Sequence, residues 1–364
     1  MRVAFVHDYL TQLGGAERVL AEMHQLYPDA PLYTSLYDRR AMGAAFEGID
    51  VRTSWLQRIP GAARRFRAML PLYPRAFESL DLRGFDLVIS STTSFAKGVL
   101  APPGALHVSY MNTPTRFLWY PQEYAFEIVP ALARPALRAA LPGLRRWDYS
   151  AAQRPHRIIA NSHNVAARIR ACYHRDSDVA PCPVDLTKFS PSDVHEDYYL
   201  VVARLLPYKR VGLAIEACAA IGAPLIIVGT GPDEARLRRV AGARVRFAGH
   251  VDDAQRRELF ARARAVIVPG VEDYGLVALE AAASGRPVVA FGAGGSLETV
   301  VEGQTGSFFR EPTPDALAAA LRAFAPESFS RARLVEHAQQ FSPERFRQRL
   351  RELIAGYLAK PGAQ

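Results

Sequence analysis

Between Tyr198 and Ala290 the chain repeats one pattern, a short apolar run followed by a helix-forming stretch, and this alternation restricts it to a parallel α/β architecture. Tyr198–Ala203 precedes a periodic stretch over 211–220, Leu225–Val228 one around 233–241, Val245–Phe247 one around 253–263, and Ala265–Val268 one over 275–283, before Val288–Ala290. The first half alternates more loosely. It offers Arg2–Val6, a helix start at Gly14-Gly15, an irregular middle, and then Asp86–Ile89, His107–Tyr110 and Arg157–Ala160. Two such series in 364 residues, 49% of them hydrophobic, predict two doubly wound units, each with its own core, rather than one barrel. The passage from Pro181 to Asp193 combines prolines with polar turn formers and reads as the linker. The expected domains are 1–186 and 187–342, followed by a terminal helix over 343–358.

The most informative turn is Glu272-Asp273-Tyr274-Gly275-Leu276-Val277-Ala278-Leu279-Glu280. A helix beginning near Gly275, straight after the Ala265–Val268 strand, points its unbonded N–H groups and positive dipole end at whatever lies in front, which is the chemistry of a phosphate site. Glu272 precedes that site and Glu280 lies inside the helix. The two carboxylates are therefore placed to hold hydroxyls on either side of a phosphate; alone, the same spacing also fits a capped surface helix.

A second phosphate signature follows Tyr198–Ala203, in Arg204-Leu205-Leu206-Pro207-Tyr208-Lys209-Arg210. Lys209 and Arg210 are expected in the first turn of the 211–220 helix, where a cation opposes the dipole by about 0.3–1 kcal/mol unless an anion compensates. Arg204 and Lys209 together offer a planar fork and a point charge to one diphosphate. A solvated basic face is the competing reading.

Arg204-x4-Lys209, Gly229-Thr230-Gly231-Pro232, Gly249-His250-Val251, Glu272-x7-Glu280 and Gly294-Gly295-Ser296-x-Glu298 occur in the order that family 4 glycosyltransferases show, and the chain resembles a retaining GT-B enzyme. His7-Asp8-Tyr9-Leu10, Gly14-Gly15-Ala16-Glu17-Arg18 and Asn112-Thr113-Pro114-Thr115-Arg116-Phe117-Leu118-Trp119 are similar to a narrower group that includes mannosyltransferases of bacterial O-antigen and exopolysaccharide assembly. The resemblance implies two Rossmann-like domains facing across a cleft, with the terminal helix packed back on the first. It implies hexosyl transfer with retention from a nucleotide sugar, GDP-mannose first and a UDP-sugar second, to a lipid-linked saccharide in lipopolysaccharide or other cell-surface polysaccharide synthesis.

On that reading Arg204, Lys209 and the Gly275-Leu276 amides stabilise the departing diphosphate without a metal. Glu272 holds sugar hydroxyls and Glu280 the ribose. Tyr274 and Val277 complete the donor turn. Gly229, Gly231, His250 and Val251 form the nucleotide side, with Val251 near the base, although His250 also fits a loop histidine without chemistry. Gly14-Gly15 either admits backbone N–H groups to the donor or is only a tight strand-to-helix turn. Relatives often carry histidine where this chain has Asn112, which donates a hydrogen bond but takes no proton at neutral pH. Asp252-Asp253 reads as a helix start rather than a metal site.

A net charge of +9 and a pI near 9.6 point to anionic partners. Arg52, Arg58, Arg64, Arg65, Arg67 and Arg75 are interleaved with Trp55, Leu56, Ile59, Phe66, Met69, Leu70 and Tyr73, with no acid between Val51 and Phe77. Arg134, Arg138, Arg145 and Arg146 repeat the mixture between Ile128 and Trp147. This pattern suits an anionic membrane surface, with Arg64, Arg65 and Arg67 as contacts, better than nucleic acid, though a solvated face beside a core stripe has the same look. The amino end is too short in apolar residues for a signal peptide and no run approaches the roughly 18 of a membrane span, so the expected location is the cytoplasm, peripheral on the inner membrane. Cys172, Cys182 and Cys218 lack metal-ligand spacing. Two alternatives remain open at this point: a GT-B nucleotide-sugar epimerase, and a non-catalytic basic protein that binds membrane or nucleic acid.

Overall fold

The computed structural model describes residues 1–121, 134–192 and 194–359, without the side chains of 67, 68 and 136. The Arg67 side chain, residues 128–133 of the second arginine-rich stretch, and Asp193 lie outside the described residues.

Two compact units divide the chain, Met1–Pro181 together with the chain from Phe346 onward, and Cys182–Arg345. In the first, β1 (Val3–His7), β2 (Leu32–Thr34), β3 (Val51–Thr53), β4 (Leu87–Thr92), β5 (Leu106–Met111), β6 (Arg157–Ala160) and β7 (Asp178–Val179) form one sheet in the order β3-β2-β1-β4-β5-β6-β7. In the second, β8 (Tyr199–Val202), β9 (Leu225–Val228), β10 (Val245–Gly249), β11 (Ala265–Val268), β12 (Val288–Phe291) and β13 (Gly306–Phe309) follow the order β10-β9-β8-β11-β12-β13. Every pairing in both sheets is parallel. Both are doubly wound Rossmann-like sheets, and each reverses its winding once, between β1 and β4 and between β8 and β11.

The second sheet shows why its strands are apolar throughout. Tyr199, Val201, Leu225, Ile227, Ala265 and Ile267 face one buried cluster, while Leu200, Ile226, Val228, Val266 and Val268 face another. Helices cover both faces, so alternate side chains are equally dry. In the first unit the helix Arg134–Ala152 and most of the terminal helix Pro343–Ala359 join the packing. Phe346 stands edge-on to Tyr110 of β5, Arg347 pairs with Glu22 at 2.5 Å, and the Tyr357 hydroxyl donates to Asp178 at 2.5 Å.

The arginine-rich stretch has a different internal arrangement from the one its mixture implies. Leu56 and Tyr73 are buried, and Ile59, Phe66, Met69 and Leu70 pack on the same core, so the apolar half of the pattern is spent inside the first unit. Arg64 and Arg65 are exposed, as is Trp55. Among the described residues no helix is long and apolar enough to cross a membrane.

Candidate active site

The winding reversal of the second unit places the segments after β8 and β11 side by side, and these carry Arg204, Lys209, Glu272 and Gly275. Lys209 and Glu272 meet directly. The ammonium donates to both carboxylate oxygens, at 2.7 and 2.5 Å, with each side chain 17% exposed. Arg204 is half-buried where β8 ends. One expectation needs correction: Lys209 does not stand in the helix Val211–Ala220 but closes the 3-10 turn Pro207–Lys209, and Arg210 is the residue before the helix, in the left-handed region at φ 52°. The cations therefore stand just before the helix, still at the positive end of its dipole, rather than inside its first turn.

Close backbone approaches fix this arrangement. A Cβ on Gly270 would lie 2.8 Å from the Tyr208 carbonyl oxygen and 2.9 Å from Lys209 Cα, so only glycine lets the Lys209 turn sit against the end of β11. Gly229 and Gly231 do the same behind Arg204. Their Cβ atoms would fall 2.0 and 2.2 Å from the carbonyl oxygens of Ala203 and Leu205, so the two glycines pack against the segment carrying Arg204. That contact gives them a structural reason that the sequence reading did not contain.

The helix Leu276–Ala283 starts from Gly275, whose φ of 105° excludes a side chain, and no side chain caps it. Its first amides accordingly lack intrahelical acceptors. Glu272 bridges to Gly294, and Gly295 N–H donates to the Glu272 carbonyl at 2.8 Å, which docks the two glycine-containing loops together. Leu276 and Val277 are half-buried in the first turn. The Tyr274 side chain is buried: its hydroxyl donates to the Cys182 carbonyl at 2.9 Å, and burial, helped by Cys182 and Glu298, pushes its phenol far above the usual range. Glu280 faces the neighbouring helix Asp253–Arg262, where the Arg256 guanidinium donates to it. His250 is exposed after β10, and Val251 packs on the core. Asp252 caps its helix by accepting from Gln255 N–H at 2.8 Å.

The remaining residues belong to the first unit. Gly14 precedes the helix Gly15–His24, but its N–H already donates to Glu17 at 2.8 Å, and Glu17 lies 3.6 Å from His7. Asn112 follows β5, 8% exposed, with its amide 3.5 Å from the Thr92 carbonyl. Sequence reasoning missed what braces these loops. The buried Asp8 carboxylate accepts from the N–H groups of Thr93, Ser94, Phe95 and Ala96 and from the hydroxyls of Thr92 and Thr93. Below the Thr113–Trp119 segment, Asp148 takes Lys97 at 2.6 Å, the Thr115 hydroxyl at 2.7 Å, and Trp119 and Tyr173 at 2.8 Å each. Among the described residues no group of three or more His, Cys, Asp or Glu side chains is placed to hold a metal ion.

Residues 13–188 match the family model described as Glycosyltransferase Family 4, and residues 185–341 the one described as Glycosyl transferases group 1. The chain is 33% identical over 217 residues to the D-inositol 3-phosphate glycosyltransferase of Mycobacterium avium, covering 51% of each. It is 39% identical over 153 residues to the glycogen synthase of Mycobacterium tuberculosis, 39% of this chain and 37% of that one. The chain thus spans about half the length of the first curated relatives it matches. In structure it is similar to Anabaena HepE, solved in complex with UDP-glucose, with a TM-score of 0.73 at 19% identity over 98% of this chain and all of that one.

Proposed function

The chain belongs to the family 4 glycosyltransferases of the GT-B fold, and from that premise we propose that it transfers a hexosyl group from a nucleoside diphosphate sugar to an acceptor hydroxyl with retention. The observation that carries this reading is the Lys209–Glu272 pair at the winding reversal, in front of the uncapped helix at Gly275. A diphosphate arriving there replaces Glu272 as the partner of Lys209, and the displaced carboxylate takes sugar hydroxyls. As the bond from the anomeric carbon to the phosphate oxygen breaks and one to the acceptor oxygen forms, negative charge grows on the leaving diphosphate, whose freed oxygen takes the acceptor hydroxyl's proton. Arg204, Lys209 and the first-turn amides oppose that charge from fixed positions, where preorganised donors act most strongly. With this field in place the transfer proceeds without a metal ion.

Nothing in the structure favours GDP-mannose. The HepE complexes contain UDP and UDP-glucose, so a UDP-sugar heads the donor order and GDP-mannose follows. A lipid-linked saccharide acceptor and peripheral membrane docking remain part of the proposal, the docking supported by exposed arginines that include Arg58, Arg64, Arg65, Arg138 and Arg146. The test is thermal stabilisation by UDP and GDP, followed by hydrolysis of UDP-, GDP-, dTDP- and ADP-sugars with and without EDTA. One diphosphate should stabilise the protein and its sugar should turn over in EDTA; no stabilisation by any of them would overturn the reading.

A further inference from the structure

We propose that Arg256 is the positioning residue for Glu280 and thereby sets the preference for a ribose over a deoxyribose nucleotide. This rests on the reading above that Glu280 meets the ribose. Glu280 projects from the helix Leu276–Ala283 with its side chain 12% exposed, and Arg256 reaches it from the helix Asp253–Arg262 with its own side chain 20% exposed. Arg256 Nη2 donates to Glu280 Oε2, and the guanidinium lies over the Phe260 ring, 5.5 Å from its centroid. The ring holds the planar fork from one side while the fork holds the carboxylate from the other.

A glutamate has three side-chain torsions, and gripping one sugar hydroxyl at hydrogen-bond distance requires them fixed before the ligand arrives. A carboxylate presents about four lone-pair sites, so an arginine on one oxygen leaves acceptor capacity for a hydroxyl. A clasp serving only to join two helices would alter stability without altering which sugar is preferred.

The experiment compares UDP with 2′-deoxy-UDP and GDP with 2′-deoxy-GDP by calorimetric titration, using whichever pair binds the unaltered protein. The unaltered protein should prefer the ribonucleotide by about ten- to hundredfold, the range of a lost hydrogen bond to a charged group. Glu280→Gln and Arg256→Gln should each bring that preference close to unity, the double variant should lose little more, and Arg256→Lys, which keeps charge without the fork and guards against a misfolded Arg256→Gln, should fall between. If Glu280→Gln removes the preference and both Arg256 variants keep it in full, the positioning role is overturned while the ribose reading stands. If Glu280→Gln keeps the preference, the ribose reading itself is overturned.

Discussion

At the scale of single residues the two glutamates separate by partner. Glu272 pairs with the lysine assigned to the diphosphate, and Glu280 with an arginine on the next helix. Glu272→Ala should leave diphosphate binding nearly intact, because Lys209 is then free of its competitor, while transfer falls steeply. Glu280→Ala should weaken diphosphate and sugar donor alike, by about 1.5–3 kcal/mol. Titration with UDP beside single-turnover transfer measures both, and loss of diphosphate binding in Glu272→Ala alone would reverse the roles. His107 of β5 supplies a pH prediction. Burial, with His156 and Arg154 adding, lowers its pKa to about 3. Between the unfolded value near 6.5 and that value the unfolded chain binds a proton that the folded chain refuses, so stability is full above pH 6.5 and declines as pH falls, by at most about 1.4 kcal/mol per unit. Trp55, Trp119 and Trp147 all lie in the first unit, so tryptophan fluorescence in urea reports that unit alone. The midpoint should drop from pH 7 to pH 5, and His107→Gln should flatten the drop; an unchanged slope in the variant would remove His107 as the cause.

At the scale of elements the site is made by strand ends brought close by glycine. Gly270→Ala would push a methyl against backbone atoms of Tyr208 and Lys209, which must shift together. Overpacking of this kind costs about 1–3 kcal/mol and should also weaken diphosphate binding by moving Lys209. Gly242→Ala, with open space around its Cβ, is the control, and equal behaviour of the two variants in melting and UDP titration would dissociate the contact from the site. How much of this was legible follows the same physics. Ala265–Val268, Leu225–Val228 and Val211–Ala220 read correctly to the residue, because strands dry on both faces and a helix after a left-handed turn leave unbroken apolar patterns. Leu32–Thr34 and Val51–Thr53 did not, since three residues are too few for any period. The Lys209–Glu272 and Arg256–Glu280 pairs were invisible because sequence spacing carries no information on which charges share a strand end. Gly270 had a signal, Pro269-Gly270 directly after a strand, that went unused. That Arg204 follows one strand end and Glu272 and Gly275 another was legible, because the apolar pattern locates strand ends.

For the whole molecule the excess of positive charge still lacks a counterpart in the second unit's chemistry. A net charge of +9 exceeds what one diphosphate needs, and Arg64 and Arg65 stand exposed on a stretch whose apolar neighbours face inward. That arrangement alters the expected mode of docking. With Leu56, Tyr73, Phe66 and Met69 committed to the core, the proposed attachment to a bilayer would depend on charge rather than on insertion, apart from the exposed Trp55. Each arginine near an anionic surface contributes about 1 kcal/mol, and the attraction is screened within roughly a Debye length. Flotation with phosphatidylserine-containing vesicles should therefore be strong at low salt and lost at high salt, and absent with zwitterionic vesicles. Changing Arg64, Arg65 and Arg67 to Ser should weaken flotation at low salt while leaving UDP or GDP binding unchanged, since no residue assigned to the donor lies in that stretch. Trp55→Ser should alter flotation less than the triple change. Equal flotation of the triple variant, or flotation that survives high salt, would show that the arginines serve only to solvate the first unit.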